Sequence, residues 1–151
     1  ILDLFESLVG ARLLYGFYQV GGVRYDLPPG WAQRCRVTVD VVEQRIGEYE
    51  RMLGDNPFFM ARAEGVGVIS RALAEDVGIA GPLLRGSGVN YDLRRAEPYS
   101  SYEDFQFEVP VETAGDCLAR YRVRMVEFRE SLKIVRQAVD ALPAGPVMFV
   151  S

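Results

Sequence analysis

The chain has 151 residues, enough for one domain with a sizeable core and no need of disulfide staples. Apolar residues make up 49% and charged residues 25%, which excludes a disordered chain, and no apolar run is long enough to span a bilayer. The net charge of −4 argues against a nucleic-acid binder, and the absence of histidine removes every Ser–His or Cys–His nucleophile pair and every HExxH zinc site. Two cysteines, Cys35 and Cys117, form neither a disulfide framework nor a Cys-x-x-Cys pair. Lys133 is the single lysine among 17 basic residues; the rest are arginines, whose planar fork suits fixed pairing with carboxylates.

The chain opens on Ile1 with Leu2, Leu4, Phe5, Leu8 and Val9 already at helical spacing, which predicts the end of an amphipathic helix running to about Leu14. Gly21-Gly22, Asp26, Pro28-Pro29 and Gly30 then break any regular period. Trp31, Cys35, Val39, Val42, Ile46, Tyr49 and Leu53 restore it, predicting a long helix over about 31–53 that Gly54-Asp55-Asn56-Pro57 stops or kinks. Phe58, Phe59 and Ala61 start a short turn. Ser70 is a candidate N-cap for a short helix through Val77, with Gly78 as its left-handed stop.

Gly86-Ser87-Gly88 opens an irregular stretch ending at Asp92-Leu93-Arg94. Phe105, Phe107, Val109 and Val111 alternate with polar residues, the period of a half-buried strand, confined to an edge by Pro110. Thr113 and Asp116 are candidate caps for the last helix, over about 116–142, with Cys117, Tyr121, Met125, Phe128, Leu132, Val135, Val139 and Leu142 as its apolar seam. Pro143 ends it. The expected fold is mainly α: a helical bundle with two long amphipathic helices, short helices and a minor β element. Ile1 and the apolar close Pro146–Val150 read as cut ends, so residues 1–151 are expected to be a single helical segment of a longer subunit.

Candidate chemistry is sparse. Gly65-Val-Gly67 and Gly86-Ser-Gly88 each lack the third glycine of a dinucleotide fingerprint and sit outside any β-α-β context, so tight turns explain them better. Both cysteines fall on helical seams, where a free cysteine serves as a small hydrophobe, and no metal site is expected. Arg120, Arg122, Arg124, Lys133 and Arg136 read as a solvated or subunit-facing helix surface, because Glu127, Glu130 and Asp140 intersperse them. Arg85, Arg94 and Arg95 among glycines, with Asp92 and Glu97, read as anchors for backbone carbonyls and carboxylates or as an interface. Tyr15, Tyr18 and Tyr25 offer hydroxyls to a carbonyl ligand such as a quinone, or are satisfied locally.

The order of the irregular stretches resembles a known family. Leu4-Phe-Glu6, Gly10-Ala-Arg12, Gly21-Gly-Val23-x-x-Asp26-Leu-Pro28 and Gly65-Val-Gly-Val-Ile69 carry the likeness. It is tightest at Gly81-Pro-Leu-Leu-Arg85-Gly86-Ser-Gly88-x-x-x-Asp92-Leu-Arg94, and it closes with Gly115-Asp116, Arg120-Tyr121 and Ser131-Leu132. These residues resemble the D-type subunit of NADH:quinone oxidoreductase, respiratory complex I, whose fold is that of the nickel–iron hydrogenase large subunit.

The resemblance implies a segment of the quinone-reducing subunit of a proton-translocating oxidoreductase. Its neighbours would be other subunits, chiefly the iron–sulfur subunit with the terminal cluster, with NADH bound on another subunit. It also implies the peripheral arm of a membrane complex, on the cytoplasmic side of a bacterial inner membrane. No catalytic residue and no bound cofactor is expected within the segment, and the segment alone is expected to be inactive. Arg12 and Leu14 are the cluster-proximal positions: many members carry histidine where Leu14 stands, so a pH-dependent cluster potential should be weakened here or carried by another group. Gly21, Gly22, Arg85, Gly86, Gly88, Asp92 and Arg94 form the structural motif. The alternatives are a segment of a membrane-bound energy-converting nickel–iron hydrogenase large subunit, or a non-catalytic helical interaction module.

Overall fold

A computed structural model describes residues 1–149 of the chain; Val150, the last residue of the apolar close, and Ser151 lie outside the described residues. The elements are α1 (Leu2–Val9), β1 (Tyr18–Gln19), β2 (Gly22–Val23), α2 (Trp31–Tyr49) and a π-turn (Glu50–Gly54). They continue with α3 (Pro57–Ala63), α4 (Arg71–Asp76), α5 (Gly81–Gly86), α6 (Leu93–Ala96), a 3-10 turn (Tyr102–Asp104) and α7 (Cys117–Asp140). The chain is mainly α, as its spacing predicts. Two compact units arise: Ile1–Val42 with the chain from Arg136 onward, and Glu43–Val135.

In the first unit α1 stops at Val9, five residues before the predicted end. Gly10 takes a left-handed φ of 72° and its N–H donates to the Glu6 carbonyl at 2.8 Å, which closes the helix. The Trp31 indole N–H donates to the Leu4 carbonyl at 3.2 Å and ties α1 to the start of α2. Arg36 pairs with Asp140 at 2.7 Å and Arg136 with Asp40 at 3.0 Å, so the α2 and α7 portions of this unit run antiparallel. Cys35, Val39 and Val139 are its buried side chains.

The minor β element lies where the sequence reads as broken loop. Tyr18–Gln19 pairs antiparallel with Gly22–Val23, and Gly22 bridges onward to Met148. Val23 N–H donates to the Val147 carbonyl at 3.0 Å, and Phe149 N–H to the Gly21 carbonyl at 2.8 Å. A Cβ at position 22 would lie 2.3 Å from the Val147 oxygen, which is why glycine stands there.

In the second unit Asn56 caps α3, its side chain accepting the Phe58 N–H at 2.9 Å, with Pro57 at the first helical position. Ser70 caps α4, and Gly78 follows it with a left-handed φ of 67°. Asp116 caps α7 by accepting the Ala119 N–H at 2.7 Å. Its other oxygen takes the Gly65 N–H at 2.7 Å, and these two backbone donors hold its carboxyl below the usual range.

Three sequence expectations are corrected in this unit. The helix expected over about 31–53 is α-helical only to Tyr49; the π-turn that follows adds a residue per turn and shifts Leu53 off the α-helical period, and Tyr49 and Leu53 are both exposed. The alternation at 105–111 makes no strand among the described residues, because no second strand lies beside it. That segment is pinned instead by Arg95 Nη2 on the Phe107 carbonyl at 2.6 Å and by the Glu108 N–H on Glu130 at 2.9 Å.

The seam expected on the last helix is right only in part: Met125 and Val139 are buried as expected. Phe128 and Val135 are exposed, and burial falls on Ala119, Val123, Glu130 and Ile134, with Leu118 and Met125 beside them. Carboxylates occupy core-facing positions there because arginine, lysine and backbone N–H groups satisfy them.

Candidate functional site

The arginines among glycines form a buried ionic network in the second unit. α5 delivers Arg85, whose side chain is 7% exposed. Its Nε donates to the Glu127 carboxylate of α7 at 2.6 Å and its Nη1 to the Tyr91 carbonyl at 2.8 Å. Asp92 Oδ2 stands 3.9 Å away. Asp92 also caps α6 by accepting the Arg94 N–H at 3.0 Å, and its two oxygens take Arg94 Nε at 3.0 Å and Nη2 at 2.7 Å. The Arg94 side chain, and after it the Arg94 N–H, holds the Asp92 carboxyl below its ordinary range against the opposing cost of burial. Arg94 and Arg95 both stack on Phe107, at 5.0 and 4.5 Å from the ring centre.

The glycines of the motif make room for α7. A Cβ at Gly86 would meet Arg120 Cγ at 3.1 Å, and Gly88 takes a left-handed φ of 91°. The Gly86 carbonyl accepts the Gly115 N–H at 2.8 Å. Gly115 is tighter still: its Cβ would fall 2.2 Å from the Ile69 oxygen.

Arg120 then closes the cluster, donating to the Gly115 carbonyl at 2.7 Å and the Gly67 carbonyl at 3.0 Å. The structure thus brings together Arg85, Gly86, Gly88, Asp92 and Arg94, and adds three residues that sequence reasoning did not place. Glu127 was hidden among helix-surface charges, and Arg120 and Gly115 stood in the family-like stretches without a contact to assign them. Two guanidinium groups against two carboxylates leave Arg85, Arg94, Asp92 and Glu127 neutral as a set, so their chemistry is to fix a loop against a helix.

The first unit holds Arg12, Leu14, Gly21 and Gly22. Arg12 Nη1 sits between Asp3 at 2.5 Å and Glu6 at 2.8 Å, so its charge is balanced by two exposed carboxylates of α1. Leu14 has φ 58° and is 98% exposed, between Leu13 at 70% and a hairpin whose Tyr18 is 86% exposed. A leucine in the left-handed region is strained, and its side chain lies almost wholly free of the other described residues. The Tyr15 hydroxyl donates to the Arg12 carbonyl at 2.7 Å, which is the local satisfaction that competes with a ligand role.

The residues present do not fit a resident iron–sulfur cluster. Cys35 is buried, with its thiol pushed up by that burial, and Cys117 accepts a contact from Arg120 at 3.1 Å. Among the described residues no group of three or more His, Cys, Asp or Glu side chains is placed to hold a metal ion. Nor is any helix of the described residues long and apolar enough to cross a membrane.

This geometry has close counterparts. A chain of the membrane-bound sulfane sulfur reductase, an archaeal respiratory membrane complex, matches the fold with a TM-score of 0.92 and 38% identity, over 97% of this chain and 40% of that one. The fold is thus that of the subunit class to which this neighbour belongs. More particularly, the chain belongs to the family of the respiratory-chain NADH dehydrogenase, 49 Kd subunit, which it matches over residues 1–151.

The H-type subunit of NAD(P)H-quinone oxidoreductase from Synechococcus sp. (strain JA-3-3Ab) is 54% identical over 147 residues, covering 97% of this chain and 37% of that protein. The D-type subunit of NADH-quinone oxidoreductase from Desulforamulus reducens is 47% identical over 147 residues, covering 97% of this chain and 40% of that protein. The chain therefore spans about two-fifths of the length of the curated relatives it matches.

Proposed function

We propose that the chain is a segment of the quinone-reducing subunit of a proton-translocating NADH:quinone oxidoreductase. The observation that carries this reading is the unbroken family match, with 54% identity to a quinone oxidoreductase subunit over 147 residues. In this reading the chain shapes the interface with the iron–sulfur subunit that delivers electrons to quinone. The clusters and the NADH site lie on other subunits, in keeping with the buried Cys35 and the arginine-contacted Cys117. The whole assembly is a membrane complex, and this segment sits in its peripheral arm on the cytoplasmic side.

The partner-facing region is the stretch around Arg12, Leu14 and the Gly21-Gly22 hairpin. An exposed leucine held in a left-handed conformation makes sense when a second protein surface covers it and offsets the strain. With leucine at position 14 this chain places no titrating ring beside the terminal cluster. Arg12 lies close by with its charge already balanced by Asp3 and Glu6, so it alters the cluster's field only weakly.

A second reading is favoured by the fold match at a TM-score of 0.92: a sulfane sulfur reductase segment. Its 38% identity against 54% for the quinone oxidoreductase subunit places it behind. The experiment that separates them is purification of the complex through a tag on this subunit, followed by assay with NADH and quinone and, in parallel, with polysulfide. Quinone reduction supports the first reading; reduction of polysulfide alone overturns it. Two Cys-x-x-Cys motifs in the flanking sequence would select the hydrogenase alternative.

A further inference from the structure

The strained turn at Leu14 is moored to α1 on both sides. Before it, Arg12 Nη1 reaches back to the Asp3 and Glu6 carboxylates at 2.5 and 2.8 Å. After it, the Tyr15 ring packs on Phe5 of the same helix, with ring centres 4.9 Å apart and planes tilted by 34°. Gly10 closes α1 just upstream, so the chain that leaves the helix folds back over it.

One hydrogen bond joins the two moorings: the Tyr15 hydroxyl donates to the Arg12 carbonyl at 2.7 Å. In an ordinary hydrogen-bonded turn that carbonyl would accept the backbone N–H three residues on. Here residues 12–14 form a bend, and among the described residues no backbone hydrogen bond crosses it. The phenol takes the place of that N–H. A side chain reaches the carbonyl three residues behind it only where the chain reverses between them, and the left-handed residue immediately before Tyr15 supplies the reversal.

Leucine resists that conformation, so something must hold it. The clamp also sorts the four side chains. Arg12 and Tyr15 contact α1, while Leu13 and Leu14 stand outward at 70% and 98% exposed.

We propose that Tyr15 is the positioning residue of this turn. Its hydroxyl, with the ring braced on Phe5, sets Leu14 in the left-handed conformation in the free subunit. Leu13 and Leu14 are therefore presented to the iron–sulfur subunit already formed and are not moulded by it. This rests on the reading that a partner covers the turn. A turn formed in advance leaves less to be ordered on assembly, and the gain falls on the association step.

The test is Tyr15→Phe in the full-length subunit, which removes the hydroxyl and keeps a ring on Phe5. Thermolysin, which cuts before leucine, reports how often the turn opens, because a protease binds its target extended. In the free subunit, cleavage before Leu13 should be about fivefold faster in Tyr15→Phe than in wild type, the factor that one ordinary hydrogen bond supports. Adding Leu14→Asn to Tyr15→Phe should return cleavage most of the way to the wild-type rate, since asparagine takes the left-handed conformation more readily. Equal rates in wild type and Tyr15→Phe overturn the proposal, as does a double variant as labile as the single one.

On the isolated iron–sulfur subunit, Tyr15→Phe should associate more slowly by the same factor and dissociate at the wild-type rate; an unchanged association rate overturns the proposal. If Tyr15→Phe does not fold, the wild type decides. Protection of about tenfold or more before Leu13, relative to the urea-unfolded chain, supports a turn set in the free subunit, and none overturns it. A wild-type subunit that does not bind the iron–sulfur subunit defeats the partner reading, whereas the cleavage rates still decide the role of Tyr15, so the two failures are distinguishable.

Discussion

The Arg85 guanidinium and the Glu127 carboxylate, 42 residues apart in sequence, meet inside the second unit and join α5 to α7. Each is the other's principal counter-charge in a nearly solvent-free setting. Removing one alone strands a buried charge. Glu127→Ala and Arg85→Ala are each expected to cost about 3–5 kcal/mol, whereas the double replacement Arg85→Met with Glu127→Leu should cost less than the sum of the singles. Urea unfolding of the full-length subunit measures all three, and strict additivity would mean the pair is not coupled.

Glycine 115 separates clash from strain. Gly115→Ala puts a methyl 2.2 Å from the Ile69 oxygen, in a segment where Gly115 N–H and C=O both hold neighbouring loops. Gly78→Ala meets the same left-handed φ of 67° with nothing within 4 Å. The second should cost only the conformational term of about 1–2 kcal/mol, and the first clearly more. Equal losses in thermal unfolding of the two variants would show that the Ile69 contact yields without cost.

Acid sensitivity follows from Asp92. Its folded pKa lies below the unfolded value because Arg94, joined by the Arg94 N–H, stabilises the carboxylate. The stabilisation is therefore present in full above the unfolded carboxylate pKa of about 4, and fades as pH falls through the lower folded value. Asp92→Asn should be less stable than wild type at pH 7 and the gap should narrow between about pH 4 and 2. Glu50, Asp116 and Glu130 are also lowered, so some acid loss persists in the variant. A gap that stays constant over that window would remove Asp92 from the account.

Local signals in the sequence carried much of the fold, and long-range ones did not. Ser70, Gly78, Asp116 and the Asn56-Pro57 pair act on their own backbone within a few residues, so their roles are legible from residue type and spacing. The end of α1 at Gly10 had the same kind of signal, but the apolar run through Leu13 and Leu14 continued the helical period past it. The alternation at Phe105–Val111 looked like a strand because period two describes any extended segment with one buried face, and a strand also needs a neighbour. On α7 the apolar residues marked one face, while the buried face carries Glu130 and, beside it, Glu127. Their partners, Arg85 for Glu127 and Lys133 with the Glu108 N–H for Glu130, are what let those carboxylates face inward. In the site, Arg85, Asp92 and Arg94 were legible as anchors; Glu127 was not, and Arg120 and Gly115 were marked only by the family likeness, since the contacts to Arg85, Gly67 and Gly86 that give these three their roles lie far along the chain.

Leu14 gives the sharpest conformational prediction in the first unit. Leu14→Gly relieves the left-handed strain and should stabilise the free subunit by about 1 kcal/mol. The same change removes an apolar side chain that a partner is proposed to cover, so assembly with the iron–sulfur subunit should weaken. Thermal unfolding of the free subunit and yield of the assembled complex report the two effects separately. Stabilisation with no loss of assembly would leave Leu14 without a partner role.

Leu14→His restores a titrating ring at the proposed cluster-proximal position. The midpoint potential of the terminal cluster should depend on pH more steeply in this variant than in wild type. Redox titration of the intact complex between pH 6 and pH 8 checks it. An equal slope in both proteins would move the pH dependence to another group.

The central claim, that this chain belongs to a quinone-reducing assembly whose redox groups lie on other chains, is tested most directly by one comparison. The NADH:quinone reductase rate is measured for the complex purified through this subunit and for the same subunit freed of its partners. The expected result is turnover by the complex and none by the free subunit. Turnover by the free subunit, or a complex that reduces no quinone, would contradict the account.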